Sequence, residues 1–295
     1  MRSFITINII IMCLIQLSLE TSIWTTFDNI IVFGDSYSDN GNVYALTNES
    51  CPPSPYYKGR FSNGKVWIEY LTMKYHVNLI DKAFGSATSD NDLVPGHILW
   101  NDVDYPVPGI KQQIDFFINS HPNQSYDKTL FVMGYFGNDY RYTNNGINPS
   151  VVVSSLISSA SQLVNYLKAK IILIPSIPLL PNSTQNLTFT NHNKVLKIQL
   201  DLFSVEHPDV EVLLYPFDEV LLKLENSDDL LEKLNITNIF NGCVSYKDAF
   251  SVCENPENYM FWDEVHLTTK VYEYIANDVY NWFNLTGVTD YLSEA

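Results

Sequence analysis

Asn29-Ile-Ile-Val-Phe-Gly-Asp-Ser36 is the stretch near the amino terminus that decides the fold. Its apolar, β-branched run stops at Gly34, as a short buried strand does. A glycine permits a sharp turn, and the serine two residues later then stands at the head of the strand. Ligands of α/β sheets bind beyond the carboxyl ends of the strands. Ser36 is therefore a candidate for chemistry, although Asp and Ser are also ordinary turn and helix-capping residues.

Strand-like segments recur along the chain, and they are short, apolar and β-branched: residues 129–135, 170–176, 210–215 and, more weakly, 79–84. Such strands suit a parallel sheet that is covered on both faces. Apolar residues at three- and four-residue steps predict helices over 150–168 and 269–283. The alternation predicts an α/β fold, a three-layer, doubly wound (flavodoxin-like) parallel sheet flanked by helices. With no internal repeat or long linker, we expect one domain over residues 21–295.

The composition favours a folded globular protein and excludes some binding functions. Of the 295 residues, 46% are hydrophobic and 17% are charged, which is enough apolar side chain for a substantial core. The formal net charge of −16 repels phosphate backbones and anionic membrane surfaces. We therefore expect no nucleic-acid binding. Since no stretch after the first twenty or so residues is long and apolar enough to be a transmembrane helix, we also expect no stable membrane insertion.

The first residues resemble an export signal. Arg2 supplies a positive start, and the mostly apolar run from Ile5 to Leu19 is shorter than a bilayer span. We predict a signal peptide over residues 1–20, cleaved near Glu20 to Ile23, and hence a secreted protein; the alternative is a buried or membrane-anchoring helix. Export would expose six predicted N-glycosylation sequons, at Asn48, Asn123, Asn182, Asn186, Asn235 and Asn284.

The cysteines agree with export. Cys13 would leave with the signal, and Cys243 and Cys253 are close enough in sequence to close a short loop by a disulfide. Cys51 is then unpaired. No cysteine and histidine spacing resembles a zinc site, and we expect no metal or other cofactor.

A base for the serine lies near the other end of the chain. A serine hydroxyl is a weak nucleophile until a base removes its proton. Asp263 and His266 are three residues apart, so one turn can place both on the same side, with the carboxylate fixing the imidazole tautomer. The other reading is a surface turn before the last helix. His192 and His207, on or near a polar-faced helix, are expected to be solvated.

Donors for an oxyanion can come from two further turns. Asn138 follows the strand predicted over 129–135, with its amide available as a donor. Gly85 and Ser86 follow the weaker strand, among small residues with accessible backbone N–H groups. Each segment on its own is equally typical of an ordinary turn.

Taken together, the four blocks resemble the GDSL esterase/lipase family, or SGNH hydrolases. In order they are Gly-Asp-Ser, Gly-Ser-Ala-Thr, Gly-Asn-Asp and Asp-x-x-His. Residues 59–64 with Trp67, and residues 253–263, are typical of the large secreted branch, which includes carbohydrate acetylesterases and thermolabile haemolysin/phospholipase-type enzymes. The resemblance covers nearly the whole mature chain and implies the SGNH hydrolase fold. Four blocks in the right order are far more specific than any one of them.

The resemblance implies roles for the matching residues. Ser36 is the expected nucleophile, His266 the base and Asp263 its orienting carboxylate. The expected oxyanion hole comprises the N–H of Ser36, the amide of Asn138 and one N–H from Gly85 or Ser86. The sequence departs from the family pattern at three positions: Phe136 for a glycine, Gly85-Ser86 where Gly-Gly is common, and Leu267 where proline often follows the histidine.

These roles predict a serine esterase that works through a covalent acyl-enzyme. We expect a secreted monomer acting on short-chain (acetyl) esters of small molecules or polysaccharides, such as acetylated carbohydrates. One alternative is a lipase or phospholipase acting on longer acyl chains. The other is a non-catalytic secreted binding protein on the same fold.

Overall fold

A computed structural model describes residues 27–286 except 122–123, 125, 182 and 247–249. Its centre is a parallel sheet of five strands: β1 (Asn29–Gly34), β2 (Asn78–Asp81), β5 (Thr129–Gly134), β6 (Ile171–Pro175) and β7 (Glu211–Tyr215). In space they lie in the order β2-β1-β5-β6-β7, and every pair of neighbours is parallel. The five strands predicted from the sequence are confirmed, with ends that differ by a few residues. β5 and β6 are buried at every position, which explains their unbroken apolar runs.

Helices cover both faces of this sheet. One face carries α2 (Trp67–Tyr75), α7 (Phe217–Glu225) and α9 (Thr269–Thr286), and the other carries α3 (Ile110–Ser120), α5 (Pro149–Leu167) and α6 (Asn186–Glu206). Each set buries its apolar stripe against the strands, which produces two hydrophobic cores separated by the sheet. The predicted three-layer α/β architecture is therefore confirmed.

The helix over 150–168 was predicted nearly to the residue. Pro149 occupies the first turn, and the side chain of Asn148 accepts from the Ser150 N–H at 2.9 Å to cap the helix. At the other end, Lys168 adopts a left-handed conformation that terminates the helix.

The remaining elements are short and lie outside the central sheet and its large helices. They are α1 (Asn42–Leu46), the antiparallel hairpin of β3 (Gly96–Trp100) and β4 (Val103–Val107), α4 (Asn138–Tyr142), α8 (Asp228–Lys233), β8 (Asn238–Gly242), β9 (Val244–Ser245), β10 (Ser251–Val252), a 3₁₀ turn (Pro256–Asn258) and β11 (Tyr259–Phe261). Among the described residues, none of the helices has both the length and the apolar character needed to cross a membrane.

The strand order fixes where the ligand crevice lies. From β1 the chain passes to β2 on one side and later to β5 on the other, so the connections diverge between β1 and β5. Crevices in doubly wound sheets open at this switch point, beyond the carboxyl ends of the strands. Ser36 follows β1 and Asn138 follows β5, so the two residues flank it.

Candidate active site

The turn after β1 holds Ser36 at the edge of the central sheet. Gly34 pairs with Gly134 of β5, and a Cβ on Gly34 would come within 2.5 Å of the Gly134 carbonyl oxygen. Glycine is therefore needed for the two strands to approach this closely. The Ser36 side chain is mostly buried, and its backbone N–H donates to no acceptor among the described residues.

His266 joins the serine to a carboxylate. Its Nε2 lies 2.8 Å from Ser36 Oγ, and its Nδ1 lies 2.7 Å from Asp263 Oδ2. Since an ionised carboxylate only accepts, Nδ1 carries the proton in this arrangement, and Nε2 is free to accept from the serine hydroxyl. The structure thus brings together three groups separated by 230 residues in sequence.

Asp263 is held as an anion. Its Oδ1 accepts from the backbone N–H groups of Val265 (2.9 Å) and His266 (2.8 Å). Burial acts to raise the pKa of this carboxyl, but the facing His266 and the hydrogen bonds from His266 and Val265 outweigh it and lower the pKa to about 2. The group therefore stays charged wherever the protein is folded near neutral pH.

Two tyrosines that the sequence analysis did not identify also hold this loop. Tyr56 Oη donates to Asp263 Oδ2 at 2.8 Å. Tyr37, the residue after the serine, donates from its hydroxyl to the Val265 carbonyl at 2.5 Å. Nothing in the local sequence distinguishes either hydroxyl from those of the other 17 tyrosines, because both partners lie more than 200 residues away.

Asn138 begins α4 immediately after a left-handed glycine, Gly137, at φ 99°. One proton of its side-chain amide is donated to the Ala87 carbonyl at 2.8 Å, which orients the amide, and its second N–H has no acceptor among the residues that the structure describes. The next residue, Asp139, is fully buried and accepts from the Ser89 N–H (2.8 Å) and hydroxyl (2.6 Å). The segment after β2 and the start of α4 are therefore fixed to each other.

Of the two candidate backbone donors after β2, only one is unused. The Gly85 N–H donates to Asp39 Oδ2 at 2.7 Å inside the protein. Ser86 has a positive φ of 68°, and its N–H has no acceptor among the described residues. A Cβ on Gly85 would also meet the Phe61 ring at 2.3 Å, so glycine serves close packing here. The geometry favours Ser86 as the donor.

Two buried carboxylates connect these turns to the segment that carries Ser36. Asp35 accepts from the N–H groups of Tyr37 and Phe136, and Asp39 accepts from Gly41, Asn42, Val43 and Gly85. Burial exceeds the effect of these donors and raises the pKa of Asp35 to about 7 and that of Asp39 to about 6. Asp35 thus ties Ser36 to the Asn138 turn, and Asp39 ties it to the Ser86 turn.

The prediction for His192 is wrong. This side chain is fully buried rather than solvated, and its Nδ1 lies 2.7 Å from the Tyr140 hydroxyl; burial lowers its pKa to about 3. The polar residues around it in α6 suggested a solvated face, but His192 is on the side that packs under α4. His207 is half-buried against the ring of Phe203 at 4.4 Å.

The cysteines and sequons are placed as follows. Cys243 and Cys253 form a disulfide, and Cys51 is a free, buried thiol. Asn48 and Asn235 are exposed, and Asn186 is half-buried with its amide paired to the backbone of Leu180. Asn123, Asn182 and the predicted signal peptide lie outside the described residues, as does the side chain of Asn284.

Within the described part of the chain, no group of three or more acidic, His or Cys side chains could hold a metal ion.

Comparison with known proteins finds a matching family and several relatives. The sequence profile of the GDSL-like Lipase/Acylhydrolase family matches residues 30–279. The phosphatidylcholine-sterol acyltransferase of Aeromonas hydrophila is 32% identical over 155 residues, which are 52% of this chain and 45% of that protein. The thermolabile hemolysin of Vibrio parahaemolyticus is 22% identical over 274 residues, 84% of this chain and 62% of that protein. The chain thus spans about half to three fifths of the length of these relatives.

A solved structure shows the same fold. It is that of a protein described as a GDSL-like lipase from Parabacteroides merdae, with a TM-score of 0.50 at 11% sequence identity. The superposition covers 89% of this chain and 97% of that one. At this identity the likeness concerns the fold alone.

Proposed function

We propose a mechanism for this chain from one premise: it belongs to the GDSL-like lipase/acylhydrolase family. The chain has the fold of this family, and we propose that it is an ester-hydrolysing serine hydrolase. Our proposal is that Ser36, His266 and Asp263 are its catalytic triad. The observation that carries it is the continuous path from Ser36 Oγ through the imidazole to the Asp263 carboxylate, with contacts of 2.8 and 2.7 Å.

The proposed reaction proceeds in two acyl-transfer steps. Ser36 Oγ attacks the ester carbonyl carbon while His266 Nε2 takes the hydroxyl proton. The carbonyl oxygen, now an anion, is stabilised by the N–H groups of Ser36 and Ser86 and by the Asn138 amide. The alcohol leaves with the proton from His266, and water then repeats the sequence on the acyl-enzyme. Asp263 stays ionised throughout and stabilises the imidazolium that forms in each step.

For the acyl donor, we propose short-chain esters, such as acetyl groups on carbohydrates. A half-buried aromatic ring adjoins the base: the centroid of the Phe61 ring lies 5.3 Å from that of His266. Aromatic walls with a few polar groups are typical of small-molecule sites and suit the apolar face of a sugar. Longer lipid esters are the second candidate, favoured by the name of the Aeromonas hydrophila relative.

Hydrolysis of p-nitrophenyl acetate, butyrate and palmitate by the purified protein tests both parts of the proposal, with Ser36→Ala as the control. Turnover that is greatest on acetate and lost in the variant supports the triad and the short-chain assignment. Greater turnover on palmitate, again lost in the variant, keeps the triad and moves the substrate to lipids. If Ser36→Ala hydrolyses acetate as fast as the wild type, Ser36 is not the nucleophile.

We further propose that the protein is exported and acts as a monomer outside the cell. The Cys243–Cys253 disulfide supports an oxidising compartment, and the sequon residues Asn48 and Asn235 are exposed at the surface, where a glycan can be attached. Treatment of the protein from a secreting host with an N-glycosidase should increase its gel mobility. The same mobility before and after treatment would contradict the glycosylation.

A further inference from the structure

We propose that Tyr56 is a positioning residue of the esterase, acting through Asp263 on the His266 base. The inference rests on the proposed triad. Its starting point is that Asp263 Oδ2 accepts two hydrogen bonds, from His266 Nδ1 at 2.7 Å and from Tyr56 Oη at 2.8 Å. The tyrosine thus contacts the same oxygen as the base but touches neither Ser36 nor the reacting carbonyl.

The two oxygens of Asp263 are held in different ways. Oδ1 is fixed by the backbone N–H groups of Val265 and His266, whose positions do not depend on the state of the imidazole. Oδ2 faces the ring that gains and loses a proton in every turnover. Tyr56 is the partner that holds Oδ2 independently of His266, so the carboxylate plane stays fixed while the base exchanges its proton.

The Tyr56 ring is itself well supported. It packs edge-on against Trp262 at 6.1 Å and against Phe61 at 6.4 Å between centroids. Its backbone N–H donates to the Pro53 carbonyl at 3.0 Å, and the next residue, Tyr57, donates to the Ser62 carbonyl at 2.8 Å. Tyr56 lies in a loop outside the strands and helices, and these contacts hold that loop in place where the Tyr56 hydroxyl meets Asp263.

The chemistry of the hydroxyl suits this role. Burial, and then the negative charge of Asp263, raise the Tyr56 pKa well above its ordinary value, so the group remains a neutral donor at neutral pH. Donation to a carboxylate stabilises its charged form and reduces its affinity for a proton. The proton taken from Ser36 therefore stays on the imidazole, from which it must pass to the departing alcohol.

Tyr56→Phe removes the hydroxyl and keeps the packed ring. A hydrogen bond to a charged group typically contributes enough for a rate effect of roughly tenfold or more. We expect kcat on p-nitrophenyl acetate to fall about tenfold while KM changes less than about twofold. Tyr57→Phe is the matched control, since its half-exposed ring lies beside Lys58 and Arg60, and it should keep wild-type kinetics.

A double-mutant cycle separates positioning from a general structural effect. In an Asp263→Asn background, Tyr56→Phe should cause no further loss, because the carboxylate through which Tyr56 acts is gone. A full additional tenfold loss in that background, or unchanged kcat in the single variant, would overturn the proposal. All rates are measured well below the lowest unfolding temperature of the set, so altered stability does not enter the comparison.

The same set of variants tests the proposed triad separately from the role of Tyr56. If Ser36→Ala and Asp263→Asn both lose activity while Tyr56→Phe matches the wild type, the triad stands and only the role of Tyr56 is wrong. If Ser36→Ala retains activity, the proposed function fails first.

Discussion

In the proposed oxyanion hole the donors come from three separate turns, and Asn138 is the donor whose contribution a single substitution can isolate. Its amide is oriented by the Ala87 carbonyl at 2.8 Å, so its free N–H is preorganised rather than mobile. Removing one preorganised oxyanion donor typically lowers kcat by about 10² to 10³. We therefore expect Asn138→Ala to lose roughly that factor in kcat with little change in KM.

Steady-state kinetics on p-nitrophenyl acetate measure this effect. Asn165→Ala is the control, because Asn165 is an exposed residue of α5. A wild-type kcat for Asn138→Ala would remove the amide from the mechanism.

At the scale of residues, spacing alone predicts a contact only where the pair is local, and the contact of Ser36 with His266, 230 positions apart, was predicted through the family resemblance. Asp263 and His266 share one turn, so their spacing alone predicts the contact that the structure has. Tyr56 reaches Asp263 across 207 positions of sequence, and Asp39 reaches Gly85 across 46. Such contacts depend on how loops are carried by the folded sheet, which spacing does not describe.

Among the elements, the pairing of β1 with β5 determines where Ser36 lies. The two strands end on facing glycines, but the glycines differ in what surrounds them. A Cβ on Gly34 would meet the Gly134 backbone at 2.5 Å, whereas a Cβ on Gly134 would meet the Ser38 hydroxyl oxygen at 2.9 Å. The backbone of a central strand cannot move away from an added Cβ, whereas the Ser38 side chain can rotate away from one.

Gly34→Ala should therefore be the more damaging of two matched variants. We expect it to lower the free energy of unfolding by about 2–3 kcal/mol or more, as overpacking does, and Gly134→Ala to cost less. Urea unfolding of both proteins measures the difference. Equal losses, or a greater loss for Gly134→Ala, would mean that the close approach of β1 and β5 is not what requires Gly34.

Burial explains which strands were predicted clearly. The strands β1, β5, β6 and β7 and the helices α5 and α9 bury continuous or regularly spaced apolar residues, whereas β2 is exposed or half-buried at every position and has a weaker pattern. The β3–β4 hairpin was not predicted. It is covered on one side only, leaves Leu99 and Val103 exposed and contains Pro106, so its pattern differs little from that of a loop.

In the whole molecule, the buried carboxylates that hold the candidate active site also affect the free energy of unfolding. The segment that carries Ser36 contains Asp35 and Asp39, which accept the N–H groups that hold the neighbouring turns. The same burial that makes these contacts specific raises the pKa of Asp35 to about 7 and of Asp39 to about 6. Asp263 behaves in the opposite way, with its pKa lowered to about 2.

These three carboxylates predict the pH dependence of folding. For Asp35 and Asp39, the folded pKa lies above the ordinary value of 3.8, so their contribution to stability is full below that pH and is lost as pH rises through about 6 and 7. For Asp263 the folded pKa lies below 3.8, so its contribution is present above that pH and is lost as pH falls towards about 2. His192 acts in the opposite sense to Asp35 and Asp39: its folded pKa of about 3 lies below its ordinary value of 6.5, so its contribution is present above that pH and is lost as pH falls towards about 3. Together these groups place the greatest free energy of unfolding near pH 4, with a decrease on both sides that is on the order of a few kcal/mol by pH 8.

Urea unfolding at pH 2, 4, 5 and 8 measures this dependence, and added salt separates the effect of the buried groups from that of the overall charge. The net charge of −16 also destabilises the fold as pH rises, but in 1 M salt the screening length falls to about 3 Å. Repulsion across the surface is then largely removed, while the desolvation of Asp35 and Asp39 inside the protein is not. A decrease from pH 5 to pH 8 that persists in 1 M salt assigns the effect to the buried carboxylates. A decrease that disappears in salt would assign it to the surface, and a stability that rises from pH 5 to pH 8 would show that Asp35 and Asp39 fold in their ionised forms.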